Sequence, residues 1–168
     1  MTPKELSRQL RQDEGAFLHQ RRGIIACGMA AAGAMGLIAL YQIGLIRHIP
    51  EPPLPGLDAD KVDASEEAYS HLQMGDAFIG LGSYAATMGL AAMGGKDRAA
   101  TSPWIPLALL AKTSADAAQA AKLTVDQWTK QKAFCSWCLL AAAATFVALP
   151  LAVPEAVEAF QQLRKKLA

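Results

Sequence analysis

The run from Gly23 to Ile46 most constrains the fold, because it contains no charged side chain. Its only polar side chains are those of Tyr41 and Gln42, apart from the Cys27 thiol. The run exceeds the ~20 residues that a helix needs to cross the hydrocarbon core of a bilayer. A chain in lipid must satisfy its backbone hydrogen bonds internally, which helices do. We therefore predict an all-α integral membrane protein, with Cys27 as a packing residue.

Three further segments extend this pattern. The chain is 52% hydrophobic and 18% charged, and the charges crowd into the stretches between apolar segments. Small residues recur through the second segment, and Ser102-Pro103 opens the third. We predict a four-helix membrane bundle over 23–153, flanked by an amphipathic segment at 1–22 and a tail helix at 154–168. The predicted spans are about 23–46, 75–95, 103–128 and 133–153.

Basic residues in the short flanks set the predicted orientation. They cluster in the first tail, in the turn at 96–98 and in the last tail, whereas the loop at 47–74 is rich in acids and proline. Both termini are therefore predicted to be cytoplasmic, with the first apolar run retained as a helix. The formal net charge of +1 and the lack of a basic, aromatic-rich stripe argue against a nucleic-acid partner.

Two groups of charged residues need an interpretation. Within the third span, Lys112, Asp116, Gln119 and Lys122 share one helix face, which should look into the bundle or a cavity. Lys112 and Asp116 are spaced to form an ion pair, and helix-to-helix attachment is the favoured role. The acids of the 47–74 loop are interpreted as a solvated loop face.

The pair Cys135-Ser136-Trp137-Cys138 opens the fourth span at its predicted outer end. Two cysteines three apart lie on one helix face, and in such pairs the first thiol is commonly activated for thiol–disulfide exchange. Zinc binding is an alternative, but zinc needs more ligands than one such pair supplies. Inert packing thiols are the third interpretation. The other candidate ligands are scattered, namely Cys27, His19, His48 and His71.

The stretches 134–140 and 75–84, together with the four-span pattern, resemble the vitamin K epoxide reductase family over roughly residues 23–151. The resemblance implies a bacterial membrane form without a fused thioredoxin-like domain. It implies a redox-active centre in which Cys135 exchanges with a partner thiol and Cys138 faces a quinone. It also places quinone binding on Asp76, where the family often has Asn, and on Phe78, Gly80 and Tyr84.

Two positions depart from the family pattern. Ala142 stands where some members have a quinone-contacting Tyr, and the loop at 47–74 lacks the usual pair of shuttle cysteines. We therefore expect a membrane oxidoreductase, without a bound metal, that passes electrons from a separate periplasmic thioredoxin-like protein to ubiquinone or menaquinone. Its expected location is the bacterial inner membrane, among lipid, with the site on the periplasmic side. The alternative is a non-enzymatic membrane subunit or redox sensor.

Overall fold

The computed structural model describes residues 2–12, 15–70 and 72–167, and its regular structure is helical. Parts of the predicted segment 1–22 and the residue His71 therefore lie outside the described residues. Within the described ranges, extended pairing is limited to an isolated bridge between Leu57 and Phe134. The all-α prediction is confirmed. The helices are α1 (Pro3–Gln12), α2 (Leu18–Gln42), α3 (Ala59–Asp63), α4 (Asp76–Ala92), α5 (Arg98–Thr101), α6 (Trp104–Asp126) and α7 (Ser136–Leu167).

Four long helices pack against one another. Helix α2 lies against both α4 and α7, and α6 lies against the same two helices from the other side. By length and composition, α2 and α7 can each cross a bilayer. Helix α4 is shorter than its predicted span, and the polar residues of α6 lower its mean hydropathy. Both remain predicted spans.

Helix boundaries follow local sequence signals at the two ends of the chain. Helix α1 begins at Pro3, and Thr2 and Glu5 cap it reciprocally. The Glu5 amide donates to Thr2 Oγ1, and the Thr2 amide donates to Glu5 Oε2. At the other end, α7 continues through Pro150 and Pro154. The residues predicted as a separate tail helix therefore extend the same helix.

Two arginines cap the C-terminal end of α4 by donating hydrogen bonds to its last carbonyls. Arg21 donates to the Ala91 carbonyl at 2.9 Å and to the Gly94 and Gly95 carbonyls at 3.0 Å each. Arg98 donates to nearby carbonyls and pairs with Glu155 of α7 at 2.6 Å, with both side chains buried. Cations at the last carbonyls of a helix satisfy acceptors that have no intrahelical donor. The sequence analysis used these arginines only to predict the orientation of the chain in the membrane.

The predicted pair of Lys112 and Asp116 forms at 2.6 Å and joins α6 to α4. Lys112 donates to Ser83 Oγ at 2.7 Å, and Thr87 donates to Asp116 Oδ2 at 3.0 Å. The expectation that the whole polar face looks inward is wrong for its second half. Gln119 and Lys122 are exposed, and Lys122 pairs with Asp126 one turn further along the same helix.

Candidate redox site

The turn between α6 and α7 brings the cysteine pair into place. After α6 the chain makes one wide helical turn over Gln127–Gln131, and Lys132 then adopts a left-handed conformation with φ 53°. The buried side chain of Gln127 folds back so that its Oε1 accepts the Cys135 amide at 3.0 Å. This hydrogen bond fixes where the first cysteine sits relative to α6.

Cys135 immediately precedes α7, and Cys138 lies in its first turn. The Cys138 amide donates to Cys135 Sγ at 3.2 Å, so this sulfur takes the place of a capping oxygen. Both residues are free thiols. The positive end of a helix favours a developing negative charge on such a sulfur. The arrangement suits Cys135 to be the attacking or leaving sulfur in thiol–disulfide exchange.

The 47–70 loop covers Cys135, whose exposed fraction is 0%. The sequence predicts that the pair lies at the outer end of the fourth span, and in this structure the loop lies between Cys135 and solvent. Main-chain hydrogen bonds join Phe134 to the loop, from its amide to the Gly56 carbonyl at 2.8 Å and from the Asp58 amide to its carbonyl at 2.9 Å. A protein thiol can therefore reach Cys135 only after the loop shifts.

Side chains fasten the same loop to the start of α7. Glu51 Oε2 accepts from the Ser136 amide at 3.3 Å and from Ser136 Oγ at 3.1 Å, and Glu51 Oε1 accepts from the Ala59 amide. The Trp137 indole donates to the Pro50 carbonyl at 2.7 Å. One carboxylate, that of Glu51, thus ties the loop to the start of α3 and to the start of α7.

Asp63 is the site residue that sequence reasoning missed. Its interpretation as part of a solvated face is wrong, because only 2% of it is exposed. The Cys138 thiol donates to Asp63 Oδ1 at 3.5 Å, and the carboxylate and both sulfurs lie within 4.8 Å of one another. Burial raises the pKa of Asp63 from its ordinary value of 3.8 to about 6. The two thiols oppose this rise in pKa, and the charges of Asp76 and Glu51 add to it.

Gln42 connects Asp63 to Asp76. Its Nε2 donates to the Asp63 carbonyl at 3.3 Å and to Asp76 Oδ1 at 2.8 Å, while its Oε1 accepts the Ala77 amide at 3.2 Å. One amide side chain therefore ties α2 to α3 and to the start of α4. Asp76, at the first position of α4, is thus connected through Gln42 to Asp63, which contacts the Cys138 thiol.

The other residues assigned to quinone binding lie at different distances from the cysteines. Phe78 packs, partly buried, on the apolar cluster that contains Cys135. Gly80 faces α2, where an added Cβ would lie 3.0 Å from Met35 Sδ, so it permits close helix packing. Tyr84 hydrogen-bonds Thr145 at 3.1 Å and lines a cavity of about 10 Å³, which is room for about one water molecule.

A metal ion is the remaining chemical option for this cluster. Asp63, Cys135 and Cys138 offer three close donor atoms, which is one fewer than a structural zinc site uses. Cys27 lies apart, packed against an apolar cluster with Ile24 and Leu109. The geometry is equally that of two thiols sharing one proton acceptor.

Loosening the cover should expose Cys135. In a Cys27→Ser, Cys138→Ser background, we expect Glu51→Ala to raise the rate of Cys135 alkylation by maleimide at least ~10-fold. The lost hydrogen bonds to a charged group are worth about 1.5–3 kcal/mol each, and local opening becomes easier by part of that amount. Glu66→Gln, which changes an exposed acid of the same loop, is the control. Equal rates in the two variants would show that Glu51 does not hold the cover.

Comparison with known proteins gives one match. A search of curated proteins and a search of solved structures both return no match. The family model of the vitamin K epoxide reductase family matches residues 23–153, which is well over half of the chain and includes the 47–70 loop, Asp76 and both cysteines of the pair. By this match, the chain belongs to the vitamin K epoxide reductase family.

Proposed function

We propose that the protein is a membrane thiol–quinone oxidoreductase that works through Cys135 and Cys138. The observation that carries the proposal is the placement of two free thiols at the start of α7, with Cys135 Sγ accepting the Cys138 amide. Membership of the family supports a membrane redox protein. The quinone and the electron relay go beyond that membership and rest on the site.

The two cysteines would divide the work. In the oxidised protein, a partner thiolate attacks Cys135 Sγ, and the Cys135–Cys138 disulfide bond breaks. A second thiolate of the partner then attacks the partner's sulfur in this mixed disulfide. The bond to Cys135 breaks, the partner leaves with its own disulfide, and both cysteines are reduced. Cys138 next reacts with the quinone, Cys135 attacks Cys138 Sγ, and a hydroquinone leaves. Two electrons and two protons pass from the thiols to the quinone in each cycle.

Asp76 is proposed to orient the quinone. A protonated carboxyl group can donate a hydrogen bond to a quinone carbonyl, whereas a carboxylate can only accept one. Gln42 Nε2 already donates to Asp76 Oδ1, which fixes the direction of that side chain. Phe78 would supply an apolar surface beside the dithiol, and the binding roles of Gly80 and Tyr84 stay proposals from the family resemblance.

The membrane setting is proposed together with the reaction. Helices α2 and α7 are long and apolar enough to span, and α4 and α6 would complete a four-helix bundle around them. We place both termini in the cytoplasm and the dithiol at the periplasmic face of a bacterial inner membrane. There it would meet quinone, either ubiquinone or menaquinone, in the lipid and a thioredoxin-like thiol protein in water.

Quinone reduction by the purified protein tests the proposal. In detergent, with dithiothreitol as donor and a short-chain ubiquinone as acceptor, we expect hydroquinone formation well above the rate of the reagents alone. Protein with alkylated thiols is the blank. A small thiol donor is suitable because it needs less opening of the 47–70 loop than a protein does. No turnover, with both thiols shown to be reducible, would contradict the proposal.

The burial of Cys135 favours a second candidate function. A thiol with 0% exposure under a hydrogen-bonded loop suits a redox sensor or structural subunit, in which the dithiol changes state rarely. In that case quinone would not oxidise the thiols, while a change in their oxidation state would alter the contacts of the loop. The turnover assay separates the two candidates directly.

A further inference from the structure

We propose that Asp63 is the catalytic base that takes the proton of the Cys138 thiol and returns it to a quinone oxygen. This inference rests on the proposed thiol–quinone reaction and adds to it a residue that neither the motif nor the family resemblance indicated. Asp63 touches the reacting sulfur itself, so the role is catalytic and not one of positioning.

The geometry meets the first requirement of a general base, which is reach. The Cys138 thiol donates to Asp63 Oδ1 at an S···O distance of 3.5 Å. Cys135 Sγ also lies within 4.8 Å of the carboxylate, so one group can serve both sulfurs in turn. Within the described part of the chain, Asp63 Oδ2 is buried without a hydrogen-bond partner. That oxygen is available to hold a proton.

The surroundings of Asp63 favour a carboxylate that gains and loses a proton. From α4 it faces the carboxyl group of Asp76, and from the loop that of Glu51, both of which oppose ionisation of Asp63. From α2 it meets the neutral amide of Gln42 at its main chain. Within the described ranges no ion pair holds it. A pKa of about 6 lies close to neutral pH, where a general base works best.

The proton and electron balance closes without another reactant. Asp63 accepts the Cys138 proton as the sulfur bonds to a quinone carbon. Cys135 then attacks Cys138 Sγ, forming the S–S bond and breaking the S–C bond, and the bonding electrons stay with the ring. The proton on Asp63 and the Cys135 proton end on the two quinone oxygens. Two thiols and one quinone become one disulfide and one hydroquinone, and Asp63 is again a carboxylate.

The pH profile of turnover tests this role. We expect the wild-type rate to rise through about pH 6, because protonated Asp63 cannot accept a proton. Asp63→Asn should lower turnover about 100-fold or more near pH 7 and remove this inflection. The loss should shrink as the pH rises above neutral, because hydroxide can then take the thiol proton in place of the carboxylate. Asp63→Glu should retain the inflection, and Glu66→Gln should match the wild type.

A second readout separates this inference from the proposed function. In a Cys27→Ser, Cys135→Ser background, iodoacetamide alkylation of Cys138 requires loss of the same proton but no quinone. We expect Asp63→Asn to move the inflection of the alkylation rate to higher pH. If wild type reduces no quinone yet this inflection moves, the base assignment stands and the quinone reaction fails. If Asp63→Asn keeps the wild-type profile in both assays, or loses rate equally at every pH, the base assignment is overturned.

Discussion

Replacing Cys138 by Ser is expected to lower the rate of quinone turnover by a factor of at least about 10³. The serine oxygen cannot form a disulfide with Cys135, and at neutral pH it supplies no anionic nucleophile comparable to a thiolate. Loss of a nucleophile that acts as a unit with its neighbours typically costs several powers of ten in rate. The measurement is the rate of hydroquinone formation, with dithiothreitol as donor and a short-chain ubiquinone as acceptor. The Cys135→Ser variant is measured in parallel.

Cys27→Ser provides the matched control for this experiment. Cys27 is the third free thiol of the chain and packs with Ile24, away from the α7 dithiol. We expect this variant to retain turnover close to that of the wild type, because the reaction needs only the Cys135–Cys138 pair. Turnover that persists in Cys138→Ser, or that disappears in Cys27→Ser, would contradict the assignment of the redox centre.

Sequence periodicity was sufficient for the helical class and for the position of the dithiol. A charge-free run as long as 23–46 has few alternatives to a helix, and Cys135 and Cys138 are three apart whatever surrounds them. The pairing of Lys112 with Asp116 was equally accessible, because residues four apart on a helix always lie close together. Each of these inferences depends on local spacing, which the chain shows directly.

The state of Asp63 could not be read in the same way. Its sequence neighbours are acids in a loop rich in proline, and the average acid in such a loop is solvated. What buries it is a non-local contact, the return of α3 onto α7, 75 residues later in the chain. A weak signal did exist: Ala59 and Val62 are buried with Asp63 at spacings of three and four on one short helical turn. That pattern indicates an inward-facing side, although not what it faces.

The depth of Cys135 was also a non-local property. The CxxC motif fixes the spacing of the two sulfurs. The cover, however, depends on the contact of Glu51 with Ser136 and on that of Trp137 with Pro50, which are far apart in the sequence. Hydrogen bonds between residues so far apart leave no periodic trace in the sequence. The position of the pair was therefore predictable, while the access of a partner to it was not.

Breaking the buried pair of Arg98 and Glu155 is expected to give the largest loss of stability. Arg98→Met should lower the free energy of unfolding by about 3–5 kcal/mol, because removal of one partner leaves an uncompensated buried charge. Arg98 is 0% exposed and also donates to the Leu90 carbonyl at 2.6 Å and to the Met93 carbonyl at 2.7 Å. Those acceptors at the end of α4 would lose their donor as well.

Thermal unfolding in detergent checks this expectation, and the chain offers a matched control. Lys122→Met breaks a pair of the same kind with Asp126, but Lys122 is well exposed, so little stability should be lost. The double variant Arg98→Met, Glu155→Leu should recover part of the loss, since it removes both charges together. If Arg98→Met melts no earlier than Lys122→Met, the buried pair does not hold α5 to α7. Capping of the C-terminal end of α4 would then rest on Arg21 of α2, whose guanidinium donates to the carbonyls of Ala91, Gly94 and Gly95.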